Sequence, residues 1–189
     1  NEAFPDDLRI FAHPRSDAQL RAADRAPATD LVHTATRVDF SGHTIDLLYL
    51  GPAHTGGDLV VHLPEPGVLF MSEAYLHRVF PAMRSACRTG WASMLERAQL
   101  LDAEIPVPGH GFIDAPGVLV AELDTFREAV LAVVAEGRRL YEAGAPIDVA
   151  LEQADFGPFA SWSLAEGQGP TALRRVYDEL EGRLECSTE

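Results

Sequence analysis

Four short apolar segments separated by turn residues constrain the fold of this 189-residue chain more than any other feature. The segments are 36–40, 43–51, 58–65 and 67–73. The first two flank Ser41 and Gly42, and the last two flank Pro66 and Gly67. Apolar runs of this length around two-residue turns predict β-hairpins. We therefore expect two successive hairpins in the first half of the chain.

The segments around these hairpins predict further strands and several helices. Residues 8–13 form a short apolar run before Pro14, and residues 104–111 form another that ends in a Pro-Gly-His-Gly loop. Apolar residues recur at spacings of three and four in several segments, as in helices with one buried face. The predicted helices are 16–25, with Ser16 or Asp17 as N-cap, then 91–101, 117–144, 146–155 and 169–184. The sequence thus predicts an α/β fold whose last part, 117–189, is helical.

Composition and charge argue against nucleic acid as a partner. A hydrophobic content of 47% is ample for a packed core. The net charge is −14, and the fifteen basic residues, all arginine, are scattered along the chain. Nucleic acid is therefore not an expected partner, because neutralising phosphates requires clustered cations. An arginine-only basic set suggests a GC-rich bacterial source.

Targeting signals and cysteine chemistry are not indicated either. No apolar run approaches the roughly 18 residues of a membrane span, and the first residues do not resemble a signal peptide. The sequence leaves the compartment unknown, with cytoplasm and periplasm both open. Cys87 and Cys186 lie far apart, with no neighbouring cysteine or histidine at metal-ligand spacing. We expect neither a membrane partner nor a cysteine metal site.

Three residues with metal-binding side chains follow predicted strands. His54 follows 43–51, Glu73 ends 67–73, and His110 lies between two glycines after the last strand. Strand ends of one sheet can converge at one edge, and imidazole and carboxylate groups suit zinc. Taken singly, each has a simpler interpretation: an inert histidine in a glycine turn, or a carboxylate paired with Arg78 or Arg84.

The three blocks that contain these residues resemble the metallo-β-lactamase superfamily. In chain order the blocks are GPAHTGGDLVVHLPE (51–65), VLFMSEAY (68–75) and VPGHG (107–111). The resemblance covers about residues 8 to 145 and implies an αββα sandwich with C-terminal helices. It also implies one metallo-β-lactamase-like domain over 1–189, with the N-terminal half of that domain missing.

The resemblance implies a role for each residue of the blocks. His54 would bind a first metal, Glu73 would occupy the position that bridges two metals, and His110 would bind the second. Thr55 and Asp58 would orient the loop that carries His54. The implied cofactor is one or two zinc ions, with iron or manganese as alternatives.

Two departures from the family pattern stand out. The bridging position is Met-Ser-Glu where the family has a Gly-Asp pair, so Glu73 is one methylene longer. The family's first motif, His-x-His-x-Asp-His, does not occur in this chain. We therefore expect this chain alone to lack a catalytic two-metal centre. A fragment, a second chain that supplies the motif, and evolutionary loss of the metal are all open explanations.

With the missing ligands supplied, the resemblance implies metal-assisted hydrolysis of a small ester, thioester, lactone or similar molecule. The alternative is a non-catalytic scaffold that serves as a binding or oligomerisation module. Tyr75, His77, Arg78 and Arg84 follow Glu73 and form a candidate substrate-facing wall, although a capped loop with surface ion pairs would explain them equally well. An uncovered sheet would further predict a homo-oligomer or pairing with a missing N-terminal segment.

Overall fold

The computed structural model describes residues 5, 7–83, 85–86 and 88–184. The strands in these residues are β1 (Phe11–Ala12), β2 (Asp30–Leu31), β3 (Ala35–Phe40), β4 (His43–Leu48), β5 (Val60–Leu63), β6 (Val68–Phe70) and β7 (Ile105–Val107). The helices are α1 (Pro14–Ala22), α2 (Arg88–Gln99), α3 (Pro116–Glu142), α4 (Ile147–Gln153) and α5 (Ala165–Leu180). Short 3₁₀ helices span Ser72–Ala74 and Gly157–Ser161.

Strands β3 to β7 form one sheet in sequence order, and β1 and β2 form a separate parallel pair. The neighbours β3 to β6 are antiparallel, whereas β6 and β7 are parallel. Both predicted hairpins are confirmed. Ser41 and Gly42 both have positive φ, 50° and 85°, as a two-residue turn of the hairpin type requires. Because β5 is antiparallel to both β4 and β6, and β7 is parallel to β6, strands β4, β6 and β7 all point in the same direction.

Helices cover one face of this sheet. Val60 and Leu69 point to that face and are fully buried in a core that also contains Trp91 of α2, Phe126 of α3 and Val176 of α5. The aromatic residues of the predicted loop before α5, Phe156, Phe159 and Trp162, also belong to this core or pack against it. The C-terminal helices therefore share a core with the sheet.

The opposite face of the sheet is apolar and carries no comparable cover. Strand register places ten apolar side chains on it. They are Val38, Phe40, Ile45, Leu47, Val61, Leu63, Val68, Phe70, Ile105 and Val107. None of the ten is buried, and Phe40 and Phe70 are 68% and 45% exposed. We call this surface the bare face; no described residue buries it.

The five helices are confirmed, with boundaries that differ from the predicted ones by up to four residues. Helix α1 begins at Pro14, and its N-cap is His13, whose Nδ1 accepts from Arg15 N at 3.3 Å; the predicted caps Ser16 and Asp17 lie inside the helix. Proline is favoured at the first helical position because its missing N–H has no partner there. Helix α5 begins at Ala165, four residues earlier than predicted, and contains Pro170 within its first two turns.

The architecture confirms the expected α/β class. The described residues supply a sheet with helices on one side, and they contain no second large sheet on the bare face. None of the described helices is long and apolar enough to cross a membrane.

Candidate metal site at the strand ends

The three predicted ligands meet at one edge of the sheet. Because β4, β6 and β7 run in the same direction, His54, Glu73 and His110 all emerge at the same end. Glu73 lies between the two histidines: its Oε1 is 2.7 Å from His110 Nε2, and its Oε2 is 4.0 Å from His54 Nδ1. The side chains of His54, Glu73 and His110 are 20%, 37% and 62% exposed. Their placement agrees with the expectation, while their role as ligands stays a prediction.

Asp58 organises the loop that carries His54. Its carboxylate accepts from the backbone N of Thr55 at 2.7 Å and from Thr55 Oγ1 at 2.9 Å. Thr55 Oγ1 in turn accepts from Gly57 N at 3.3 Å, which closes a small hydrogen-bonded turn. The His54 ring packs near Trp91, with ring centroids 5.7 Å apart. These contacts order the loop that carries His54, and the role of Thr55 and Asp58 in orienting a metal ligand stays a prediction.

The glycines around His110 allow close approach of its loop to the segment after β6. A Cβ on Gly109 would lie 2.4 Å from the carbonyl of Ser72, and one on Gly111 would lie 2.2 Å from His77 O. Two backbone bonds join the segments, Gly109 N to Tyr75 O and His77 N to His110 O, both 2.9 Å. Glycine is needed at both positions because the backbone of the segment after β6 occupies the space that a side chain would require.

Glu73 itself sits on a strained turn. Ser72 has φ of 48°, in the left-handed region that non-glycine residues rarely adopt. Ser72 occupies the position at which the resembled family has glycine. The following turn is anchored by Trp91, whose Nε1 donates to Ala74 O at 2.9 Å. The turn before Glu73 is therefore left-handed at Ser72 although this residue is not glycine.

Tyr75 and His77 of the candidate substrate wall contact α3 and the loop before it. Tyr75 is fully buried and donates to Leu119 O at 3.2 Å, and burial raises the pKa of its hydroxyl well above the usual value. His77 is 5% exposed. Its Nδ1 contacts Phe112 O at 2.7 Å, and its Nε2 faces Glu122 Oε2 at 3.7 Å.

Arg78 is engaged with α3 rather than with the strand ends. Its Nε and Nη2 donate to Glu122 Oε1 at 3.0 and 2.6 Å. The hydrogen bond from Arg78 is the main reason that the pKa of Glu122 lies below its usual value. Arg84 lies outside the described residues. A substrate role for Tyr75, His77, Arg78 and Arg84 stays a prediction.

A cavity of about 300 Å³ opens beside His54 and Glu73. Its described lining also includes Ala82, Met83, Ser85, Gly167, Gln168 and Thr171. The last three residues come from the beginning of α5, which the sequence interpretation did not connect with the site. Tyr75, His77 and Arg78 are not among the lining residues.

The donor set does not fit a complete metal centre. Among the described residues, no group of three or more His, Cys, Asp or Glu side chains is placed to hold a metal ion. His110 Nε2 and Glu73 Oε1 are in direct contact at 2.7 Å. Two ligands on one tetrahedral ion lie roughly 3.3 Å apart, given bonds of about 2.0–2.1 Å. The three side chains are neighbours, but their ligand atoms do not converge on one point.

Comparisons with known proteins place the fold. No protein-family model matches the chain, and no curated protein matches it either. Solved structures do match. A metallo-beta-lactamase from Pontibacter korlensis aligns with a TM-score of 0.56 and 17% identity, over 64% of this chain and 58% of that one. DIM-1 metallo-beta-lactamase gives 0.55 and 22%, over 64% and 58%, and metallo-beta-lactamase IND-7 gives 0.55 and 19%, over 64% and 57%.

These structural likenesses agree with the strand order and identify the fold. The chain has the metallo-β-lactamase fold, as its motifs led us to expect. It spans a little under three fifths of the length of the solved structures that it matches, for example 58% of the Pontibacter korlensis protein. At this level of identity the likeness establishes the fold and leaves the activity to be argued from the site.

Proposed function

We propose that this chain carries part of the metal site of a metal-dependent hydrolase of the metallo-β-lactamase superfamily. His54, Glu73 and His110 would be ligands in the complete protein, and the remaining ligands would come from a further segment or a second chain. The expected cofactor is zinc, with iron or manganese as alternatives. The expected substrate is a small ester, thioester, lactone or similar molecule.

The observation that carries this proposal is the position of Glu73 between two histidines from other strand ends. Glu73 faces His110 Nε2 at 2.7 Å and His54 Nδ1 at 4.0 Å, one with each carboxylate oxygen. A carboxylate that presents its two oxygens to two imidazoles suits a bridging position between metal ions. The loops on both sides are held by dedicated contacts, from Asp58 and from Gly109.

Metal binding separates this proposal from its alternative. We expect the 189-residue chain to bind Zn²⁺ weakly in isothermal titration calorimetry, because its set of metal ligands is incomplete. The signal should disappear in His110→Ala and persist in His43→Ala, which removes an exposed histidine at the start of β4. The polypeptide from the longest reading frame that contains this sequence should carry near-stoichiometric zinc, iron or manganese. An absence of metal in both proteins would refute the proposal.

One observation favours a second candidate, a non-catalytic binding or oligomerisation module. The bare face presents ten apolar side chains, more than solvent-exposed sheets of stable monomers usually show. A second β-sheet, from a second copy or from an N-terminal segment, is the partner that its shape suits. Self-association together with metal-free protein from the longest reading frame would support this candidate over the hydrolase.

A further inference from the structure

A second cavity lies outside the candidate metal site, between the beginning of α1 and one side of α2. Its volume of about 710 Å³ is within the range of small-molecule sites, and the cavity beside His54 and Glu73 has about 300 Å³. Its described lining comes from the beginning of α1, the segment between β2 and β3, the loop after β4, and α2. No described residue lines both cavities.

Basic side chains line this second cavity, although the net charge of the chain is −14. Two arginines and two histidines belong to the lining, namely Arg15, Arg97, His13 and His33. No aspartate or glutamate is among its described lining residues. Arg97 and His33 are exposed and Arg15 is half-buried, so these side chains are accessible to a molecule that enters from solvent.

Contacts with the loop that carries His54 hold both arginines. Arg97 Nη1 donates to Leu50 O at 2.9 Å, near the beginning of the loop. Arg15 packs near its end, where a Cβ on Gly56 would lie 3.3 Å from Arg15 Cδ. A guanidinium group has five N–H donors, so the bond to Leu50 O leaves Arg97 with donors for a ligand.

The surroundings of His13 show that the charges in this cavity favour an anion. The His13 ring stacks on Tyr49 with centroids 3.9 Å apart, and the residue is 8% exposed. Burial lowers the pKa of His13, and the charges of Arg15 and His33 lower it further, whereas Asp58 opposes them. Arg15 and His33 therefore act on the same space, and they would stabilise a negative charge placed there.

We propose that this cavity binds a small organic anion, a carboxylate or a phosphate ester with an apolar body, whose charged group is held by Arg15 and Arg97. Arginine suits both groups because its planar guanidinium can donate two parallel hydrogen bonds to their oxygens. Pro14, Pro52 and the Tyr49 ring supply apolar surface for the rest of the molecule. Binding here requires no metal and does not depend on the proposed hydrolase.

Matched probes test the proposal and distinguish the two kinds of anion. Benzoate and phenyl phosphate are the anionic probes, and benzamide has the shape of benzoate without its charge. In ¹⁵N-labelled protein at low ionic strength, we expect at least one anion to bind about tenfold more tightly than benzamide, as charge-assisted hydrogen bonds to arginine would give. The backbone signals of Arg15, Ser93 and Arg97 should shift. Equal affinities for all three probes, or shifts confined to other residues, would overturn the proposal.

Substitution of one arginine identifies the group responsible. Arg97→Gln should lower the affinity for the preferred anion about threefold to tenfold and leave the affinity for benzamide unchanged. Arg138→Gln is the matched control, because it makes the same change in net charge at an exposed position of α3 outside the described lining. This control should retain the preference for the anion. An equal loss in both variants would show an effect of overall charge and would contradict the assignment.

Discussion

The close approach of Gly109 to the segment after β6 makes Gly109→Ala the most informative single substitution. An added Cβ would lie 2.4 Å from both the carbonyl carbon and oxygen of Ser72, and 2.9 Å from Glu73 N. These are backbone atoms and cannot rotate away. Since non-bonded carbon contacts are optimal at about 3.5–4.0 Å, the two segments must separate by about 1 Å.

The size of the effect follows from what that separation breaks. The backbone bonds from Gly109 N to Tyr75 O and from His77 N to His110 O, both 2.9 Å, would exceed hydrogen-bonding distance. Losing two such bonds costs roughly 2 kcal/mol, and residual overpacking costs about 1–3 kcal/mol. Alanine restricts the unfolded chain and returns about 0.4–1 kcal/mol. We expect a net destabilisation of about 2–4 kcal/mol.

Urea denaturation followed by circular dichroism measures this difference. Gly117→Ala is the matched control, because it lies near the start of α3 and a Cβ there meets nothing within 4 Å. The control should leave the free energy of unfolding unchanged or raise it by up to about 1 kcal/mol. If Gly109→Ala unfolds within about 0.5 kcal/mol of the unmodified protein, the packing argument for the PGHG loop fails.

Three further substitutions test other parts of the structure. Ser72→Gly should raise the free energy of unfolding by about 0.5–1 kcal/mol, because glycine adopts the φ of 48° at this position without steric strain. Thermal unfolding measures the change, and Ser72→Ala, which keeps a Cβ, is the control and should show no gain. Arg78 is the main reason that the pKa of Glu122 is lowered. The Glu122 carboxylate therefore contributes stability above its unfolded pKa, and this contribution is lost as pH falls through its folded pKa. Glu122→Gln should flatten the acid side of the curve of unfolding free energy against pH, and an unchanged curve would refute the assignment. Replacing Val61 and Phe70 on the bare face by threonine should weaken any self-association in sedimentation velocity, whereas unchanged association would exclude this face as the interface.

Much of the fold could be predicted because local signals agreed with tertiary structure. Apolar alternation and the Ser41-Gly42 turn specified the first hairpin, and its register then set which side chains share a face. Because His54, Glu73 and His110 each follow a predicted strand, their meeting at one edge of the sheet could be anticipated, whereas the pairing of β4 with β5 that gives β4 and β6 the same direction could not. The agreement reflects the short range of the interactions that decide turns and strand alternation.

What could not be predicted depends on contacts between distant segments. Gln168 lines the same cavity as Glu73 although the two residues are far apart in the sequence. Helix α5 begins before the predicted start, so the sequence did not indicate that its first turn lies beside the strand ends. Arg78 pairs with Glu122 of α3, a partner that its position after Glu73 in the sequence does not indicate. No spacing rule indicates which partner a surface arginine chooses, because the choice depends on packing of the helix against the sheet.

The bare face carries a thermodynamic consequence that can be measured before any partner is known. Apolar surface removed from water lowers the heat capacity of the system. Whatever process covers the ten side chains, its enthalpy will become more favourable as temperature rises. Calorimetry at several temperatures would therefore report how much apolar surface becomes covered on both partners together.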